Sequence, residues 1–389
     1  MAQTDSKFQA PSSKLKIAVL GTRGFPGVQG GIESHCENLY PRLVKLGCEV
    51  TVFTRKRYIK TAGGKYKGVK LIPLSCPRHK FLEALWHTLK GVFAVRGYSP
   101  DIIHIHAIGP SLLIPLARLM GFKVVMTNHG PDYHRKKWGR LAKLILRFGE
   151  RLGSMWANEI ICISGNIADD IENNYRRKAT VIPNGVILPQ VPDGESILKK
   201  YGLEKGRYIL SVGRFVPEKG FHDLIGAFEN LQDTKSKVGG IGWKLVIVGD
   251  ADHEDKYSRG LKKKAGGSDN VILTGLLSGE PLQELYSHAG LFVLPSYYEG
   301  LPIVLLEAMS YGLSCIVSDI PANRNVELDG DRFFKAGDVN ALVLKITQYM
   351  DKPFTAEERQ RQRDVIAERY DWERIARQTL EVYKRVYSS

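Results

Sequence analysis

The chain has 389 residues, with 56 lysines and arginines against 41 aspartates and glutamates and a net charge of +15. This length is too great for one hydrophobic core and suggests two or three domains. No apolar run reaches the roughly 18 residues that a membrane span needs, no signal peptide is visible at the polar start, and the five cysteines show no disulfide or metal spacing. We therefore expect a cytoplasmic protein.

The basic excess lies entirely in the first half of the chain. Residues 1–190 carry 29 basic and 12 acidic residues, a net charge of +17, whereas residues 191–389 carry a net charge of −2. This asymmetry indicates an anionic partner for the first half: nucleic acid, acidic lipid or a phosphorylated substrate. Nucleic acid is the weakest of these interpretations, because no recognised binding module accompanies the charge.

The first half alternates apolar strand patterns with helical patterns. Strands are predicted at 16–20, 49–54, 102–106, 123–127, 159–163 and 179–182, with helices at 33–46 and 111–120. This alternation predicts a parallel sheet with helices on both faces. A glycine-rich loop, residues 21–31, follows the first strand, so the backbone at Gly30 and Gly31 can approach a phosphate or sugar closely. A simple tight turn is the alternative interpretation of this loop.

His129 follows the strand predicted at 123–127 and is expected to point into a cleft. There it could bond a sugar hydroxyl or polarise a leaving group, although a lone histidine is often purely structural. His104 and His106 alternate on the preceding strand and are interpreted as packing or supporting residues. They form no metal-binding set with the rest of the sequence, so no metal site is predicted.

The segment 134–156 has an apolar stripe at helical spacing and a row of lysines and arginines opposed only by Glu150. Such a helix can lie on an anionic membrane surface. The alternative is an ordinary domain helix with a basic outer face. Residues 81–93 form a second candidate for a membrane-surface helix.

A linker rich in proline and glycine, residues 183–194, precedes a second alternating series. Strands are predicted at 208–212, 243–249, 271–274, 291–295 and 314–318, and helices at 221–231, 356–369 and 372–387. We predict an α/β fold with two doubly wound, Rossmann-like domains, residues 1–190 and 191–371, that face each other across a cleft. The last helix, about 372–389, is expected to pack back on the first domain. In such sheets ligands bind at the carboxyl ends of the strands.

The loop after the strand at 208–212 carries Gly213, Arg214 and Lys219. Two cations at the carboxyl end of a strand can neutralise a diphosphate, and arginine can bind two oxygens at once. The alternative is a solvated loop with ordinary surface charges.

Two glutamates separated by seven residues, Glu299 and Glu307, are the most informative feature of the second half. Glu307 lies in the otherwise apolar run 301–309, and burying a carboxylate without partners costs several kcal/mol. Pro302 suits the first turn of a helix and Gly312 its end, which predicts a helix at 302–311. Its N-terminus would attract a phosphate. A capping acid followed by a salt-bridged core acid is the alternative.

Taken together, these motifs resemble the retaining glycosyltransferases of family 4, which have the two-domain GT-B fold. The resemblance rests on four motifs in the family's order: the Glu299–Glu307 pair, Gly213-Arg214 with Lys219-Gly220, the Gly30-Gly31 loop, and the Ile-Pro-Asn-Gly run at 182–185. It implies that the second domain binds a nucleotide-diphosphate sugar as donor substrate, with no further cofactor, and that the first binds the acceptor. The opening loop resembles a subgroup that builds surface polysaccharide, including rhamnosyltransferases.

The resemblance also implies roles for individual residues. Arg214 and Lys219 hold the diphosphate beside Gly213, and Glu307 bonds the ribose hydroxyls. Glu299 touches the donor sugar together with the backbone of three residues: Gly300, Leu301 and Ile303. Gly30 and Gly31 approach the phosphate from the opposite domain, and His129 matches the acceptor-side histidine. Ile187 departs from the family pattern, which often has an acidic residue there.

No divalent metal is implied, because cations and helix N-termini stabilise the leaving diphosphate. Retention is explained in the family by front-face attack, with the leaving phosphate as base.

The expected function is transfer of a sugar from a nucleotide-diphosphate sugar to a glycan acceptor carried on a polyprenyl diphosphate, in cell-surface polysaccharide synthesis. The enzyme is expected on the inner membrane face as a peripheral protein. A GT-B enzyme with a soluble sugar acceptor and a non-catalytic sugar-nucleotide-binding protein are the alternatives.

Overall fold

A computed structural model describes residues 14–28, 30–59, 64–77, 82–134, 138–189, 194–236, 242–251, 253–350 and 352–389. Parts of the predicted segments 81–93, 134–156 and 183–194 fall outside these ranges.

The first half forms an eight-stranded sheet with the order β3-β4-β2-β1-β5-β6-β7-β8, in which only the β3–β4 pair is antiparallel. Its strands are β1 Lys16–Leu20, β2 Glu49–Arg55, β3 Lys65–Tyr66, β4 Val69–Leu74, β5 Ile102–His106, β6 Lys123–Asn128, β7 Glu159–Cys162 and β8 Thr180–Val181. The six strands predicted here are confirmed within two residues, whereas the β3–β4 hairpin was not predicted.

The described residues of this half form the α-helices α1 Gly31–Lys45, α2 Leu82–Ala94, α3 Ile114–Leu119, α4 Arg140–Trp156 and α5 Gly165–Tyr175. The helix predicted at 111–120 is divided into a 3₁₀ turn, Pro110–Leu113, and the short α3. The helix predicted at 134–156 begins only at Arg140, after a 3₁₀ turn at Asp132–His134.

The second half forms a fully parallel six-stranded sheet with the order β11-β10-β9-β12-β13-β14. Its strands are β9 Tyr208–Val212, β10 Lys244–Val248, β11 Val271–Gly275, β12 Leu291–Leu294, β13 Cys315–Ser318 and β14 Phe333–Phe334. The helices that cover and follow it are α6 Ser196–Tyr201, α7 Phe221–Ser236, α8 Lys256–Ala265, α9 Glu280–His288, α10 Ile303–Ser310, α11 Pro321–Arg324, α12 Val339–Met350 and α13 Ala356–Tyr370. Two parallel-sheet α/β domains, as predicted, therefore make up the chain.

The final helix, α14 Trp372–Ser388, returns to the first domain. Its apolar side, which includes Trp372, Ile375 and Tyr383, shares a buried cluster with Leu39 and Tyr40 of α1. The two chain segments that pass between the domains meet beside it, since the Val186 amide donates to the Tyr370 carbonyl at 2.8 Å. The last helix thus completes the core of the first domain.

Among the described residues, no helix combines the length and the apolar character that crossing a bilayer requires.

Candidate active site

The predicted donor-site residues follow β9 and β12, which are neighbours in the second sheet although they are far apart in sequence. The chain leaves these two strands in opposite directions along the sheet, and ligands of doubly wound folds bind at such a switch point. Gly213, Arg214 and Lys219 come from the loop after β9, and Glu299 and Gly300 come from the loop after β12. The topology therefore brings the two predicted motifs to one edge of one sheet.

Lys219 and Glu299 form an ion pair at the centre of this edge. The Lys219 Nζ atom lies 2.6 Å from Glu299 Oε1, and their side chains are only 16% and 12% exposed. The Ser296 hydroxyl donates to the same carboxylate oxygen at 2.7 Å. A lysine ammonium carries three donors, so Lys219 can hold Glu299 and still donate to a phosphate.

The loop after β9 is packed closely against its neighbours. A Cβ atom on Gly213 would lie 3.2 Å from Lys219 Cε, and one on Gly220 would lie 2.1 Å from the Pro295 carbonyl oxygen. Gly220 also has a positive φ of 67°, which favours glycine. These contacts restrict the path of the loop on either side of Lys219, which ends the 3₁₀ turn Pro217–Lys219.

Glu307 lies in the second turn of α10, below its N-terminus. The Tyr286 hydroxyl donates to Glu307 Oε2 at 3.0 Å. Burial raises the pKa of Glu307 to about 7, and this hydrogen bond opposes the shift only in part. The observed partner of this half-buried acid is therefore a tyrosine from α9 rather than a cation.

The N-terminal end of α10 lies one residue beyond the predicted start, so Pro302 precedes the first turn rather than belonging to it. Pro302 stands at the N-cap position, and Ile303 begins the helix two residues after the buried Leu301. Gly312 has a φ of 70° just beyond the last turn. The short segment between Glu299 and the start of α10 thus contains the predicted backbone contacts Gly300 and Leu301, and Ile303 is the first residue of the helix.

The loops after β6 and β12 bring the two domains into contact. The Tyr298 hydroxyl donates to the Pro131 carbonyl at 3.1 Å, and a Cβ atom on Gly300 would lie 2.6 Å from the His129 carbonyl oxygen. His129 therefore lies at the domain boundary beside the loop that carries Glu299. The predicted contact of its side chain with a sugar hydroxyl or a leaving group stays a prediction.

His129 belongs to a buried cluster of imidazoles. His129 Nε2 lies 2.9 Å from His106 Nδ1, and the other nitrogen of His106 contacts the Tyr40 hydroxyl. His35 Nδ1 lies 2.6 Å from Asn184 Oδ1. Burial lowers the pKa of His35 to about 4 and holds the pKa values of His106 and His129 well below the usual histidine range. The imidazoles are therefore neutral at neutral pH.

The same cluster contains the group that could hold a metal ion. One nitrogen from each of His35, His106 and His129 lies within 4.8 Å of the others. The sequence did not indicate this set, because His35 comes from α1 and the other two from β5 and the loop after β6. The 2.9 Å distance between His106 and His129 is that of a hydrogen bond between the two imidazoles.

The glycine-rich loop of the first domain has a structural function that the sequence did not reveal. Arg23 donates to Glu33 through its backbone amide and its guanidinium, at 3.0 to 3.1 Å. A Cβ atom on Gly30 would lie 2.1 Å from Glu33 Oε2, so glycine at this position makes room for the pair. Gly31 begins α1, and a Cβ atom there would meet no atom within 4 Å.

Comparison with known proteins identifies the class. Residues 193–369 match the model of the glycosyl transferases group 1, and residues 29–188 match that of glycosyltransferase family 4. An uncharacterised glycosyltransferase of Methanocaldococcus jannaschii is 26% identical over 403 residues, which cover 95% of this chain and 98% of the relative. A GDP-mannose:cellobiosyl-diphosphopolyprenol alpha-mannosyltransferase of Xanthomonas campestris is 28% identical over 298 residues, which cover 73% and 74% of the two chains.

Among solved structures, the sucrose-phosphate synthase of Thermosynechococcus elongatus has the same fold, with a TM-score of 0.80 at 20% identity over 96% of this chain and 100% of that chain. The chain is therefore a glycosyltransferase with the GT-B fold, and it belongs to family 4. It is a transferase enzyme, so the non-catalytic alternative is set aside.

Proposed function

We propose that this enzyme transfers a sugar from a nucleotide-diphosphate sugar to a glycan acceptor carried on a polyprenyl diphosphate, with retention of configuration. The observation that carries the proposal is the Lys219–Glu299 pair at the domain boundary, next to the His129 loop. The name of the Xanthomonas campestris relative supports both the class of donor and the class of acceptor. The resemblance to surface-polysaccharide enzymes, including rhamnosyltransferases, stays a prediction.

The donor would lie along the edge formed by β9 and β12. Lys219 and Arg214 would neutralise the diphosphate, with the N-terminus of α10 as a third source of positive potential. Glu307 would accept a hydrogen bond from a ribose hydroxyl, because Tyr286 contacts only its Oε2 atom.

Glu299 would contact the transferred sugar rather than act as a nucleophile. Its Oε1 atom is held by both Lys219 and Ser296, which fixes the orientation of the carboxylate. The acceptor hydroxyl would attack the same face of the sugar that the diphosphate leaves, and a phosphate oxygen would accept its proton. In this scheme Lys219, Arg214 and the α10 N-terminus stabilise the charge that develops on the leaving group.

His129 would contact a sugar hydroxyl from the acceptor side. Because its Nε2 atom faces His106, Nδ1 is the nitrogen that can meet a ligand. A neutral imidazole offers either one donor or one acceptor there. We therefore assign His129 to orienting the substrate rather than to supplying positive charge.

A thermal-shift screen of UDP-, GDP-, dTDP- and ADP-sugars tests the donor assignment. A bound donor stabilises the folded state by mass action, so one nucleotide class should raise the melting temperature more than the others. The Lys219→Ala variant should lose that shift, whereas Lys345→Ala should keep it, because Lys345 lies on α12 and donates to the Asp331 carbonyl rather than to the proposed donor site. Equal shifts in the two variants would show that the donor lies elsewhere.

A further inference from the structure

Helix α4 packs against the rest of the first domain through two of its glycines. A Cβ atom on Gly149 would lie 2.2 Å from the Ile108 carbonyl oxygen, and one on Gly153 would lie 2.5 Å from Met126 Sδ. Glu150 is buried on the same side and accepts three hydrogen bonds of 3.0 to 3.1 Å, from Asn128, Tyr133 and Tyr175. The side of α4 that packs against the rest of the domain is therefore the one that carries Gly149, Glu150 and Gly153.

The apolar stripe of α4 consequently faces solvent. Residues three or four apart lie on one side of a helix, and the large apolar residues at this spacing are between 43% and 71% exposed: Leu141, Leu144, Ile145, Phe148, Met155 and Trp156. A surface helix normally turns its apolar stripe toward the core. The outer face of α4 therefore carries large apolar side chains as well as basic ones.

Cations border this stripe on one side. Arg140, Arg147 and Arg151 are exposed and follow one another at helical spacing. The single carboxylate of the helix, Glu150, is buried and hydrogen-bonded. The surface therefore offers apolar side chains next to a row of guanidinium groups, and it belongs to the half of the chain whose net charge is +17.

We propose that this face of α4 binds the surface of a bilayer that contains anionic lipid. The apolar side chains would insert at the boundary between headgroups and acyl chains, and the arginines would bind the lipid phosphate groups just above it. A second copy of the chain fits less well, because α4 exposes no carboxylate that could face the arginines of a partner. The inference rests on the proposed function, since a polyprenyl-linked acceptor lies at such a surface, and it names the partner that places the enzyme there.

Co-sedimentation with vesicles tests this proposal. The protein should bind vesicles of phosphatidylcholine mixed with phosphatidylglycerol more strongly than phosphatidylcholine alone, and binding should weaken as added salt screens the charges. The double variant Leu144→Ser, Phe148→Ser should bind about tenfold more weakly or worse, because it loses apolar area. The variant Arg147→Gln, Arg151→Gln should lose the preference for anionic vesicles.

Leu344→Ser is the matched control, since Leu344 is 70% exposed on α12 of the second domain; it should bind as the wild type does. Wild-type protein that binds neither kind of vesicle, or both equally at every salt concentration, would overturn the proposal. So would a dimer on size-exclusion chromatography that the serine variant converts to a monomer.

A readout without vesicles separates this proposal from the catalytic assignment. The serine variant should release nucleoside diphosphate from the preferred donor at the wild-type rate in detergent, because α4 supplies none of the proposed donor contacts. Loss of that release together with loss of vesicle binding would mean that the face has a structural function instead. If wild-type protein binds anionic vesicles but turns over no donor, the proposed function fails while the membrane surface stands.

Discussion

Glu299 and Glu307 occupy one stretch of chain, but their surroundings give them different chemistry. Glu299 forms an ion pair with Lys219 at 2.6 Å. Among the described residues the side chain of Glu307 is bonded by the Tyr286 hydroxyl instead, and burial raises its pKa to about 7. The charge of Glu307 therefore depends on pH near neutrality.

This difference predicts a pH dependence of donor binding. Ribose hydroxyls donate to the ionised form of Glu307, so the affinity for the nucleotide sugar should rise several-fold between about pH 6 and pH 8. The diphosphate of a nucleotide sugar is esterified at both ends and does not titrate in this range. The measurement is isothermal titration calorimetry at several pH values.

The Glu307→Gln variant is the control for this prediction. It should bind the donor more weakly, and its affinity should not change over the same pH range. A wild-type affinity that is independent of pH would show that Glu307 does not contact the ribose.

The histidine cluster shows which part of the site the sequence could reveal. His129 was predicted from its place after a strand, which is a local signal. Its surroundings could not be predicted, because His35 and Tyr40 come from α1, and Tyr383, which lies 2.6 Å from His104, comes from α14. Contacts between elements so far apart in sequence depend on how the helices pack, and no local pattern encodes that packing.

At the level of elements, the sequence was most informative where proline and glycine mark the ends. Pro302 and Gly312 enclose α10, and the observed helix, Ile303–Ser310, begins and ends within one residue of the predicted 302–311. Helix α8, Lys256–Ala265, was not predicted individually, because its run of lysines obscures the apolar spacing. Proline and glycine thus allow the ends of a helix to be predicted from the sequence. A helix that is mostly polar can be recognised only from its contacts in the folded protein.

The orientation of α4 could not be predicted from its apolar stripe alone. A stripe shows that a helix has two faces, but not which of them meets the protein. The available signal was the pair Gly149 and Gly153, four residues apart, which permits close packing of the helix against its neighbours.

The contact between the His129 and Gly300 loops gives a prediction at this scale. In Gly300→Ala the added Cβ would lie 2.6 Å from the His129 carbonyl oxygen, so the two loops must move apart. We expect kcat/KM to fall about tenfold or more, because displacements of about 1 Å in an active site are costly. Steady-state kinetics with the preferred donor measures this.

Gly165→Ala is the control, because it makes the same substitution at a position where a Cβ atom meets no atom within 4 Å. It should retain wild-type kinetics. Wild-type kinetics in Gly300→Ala would show that this contact is absent from the catalytic state.

At the scale of the whole molecule, the two chain segments that connect the domains lie side by side. Val186 bonds to Tyr370, and a Cβ atom on Gly185 would lie 2.5 Å from the Trp372 ring, so both connecting segments pass the same point. Any change in the angle between the domains has to be accommodated there. The proposed ligands come from both domains, and domain closure around the donor is the motion that such a site requires.

The most direct test of the account is release of nucleoside diphosphate from a panel of nucleotide sugars, measured for wild-type protein and for Glu299→Ala in the presence of a polyprenyl-diphosphate-linked glycan acceptor. We predict that one donor class is turned over and that the variant loses about a hundredfold or more of that rate, because it lacks the carboxylate beside the transferred sugar. Release from no donor, or an unchanged rate in Glu299→Ala, would contradict the assignment of this edge of the second domain as the donor site.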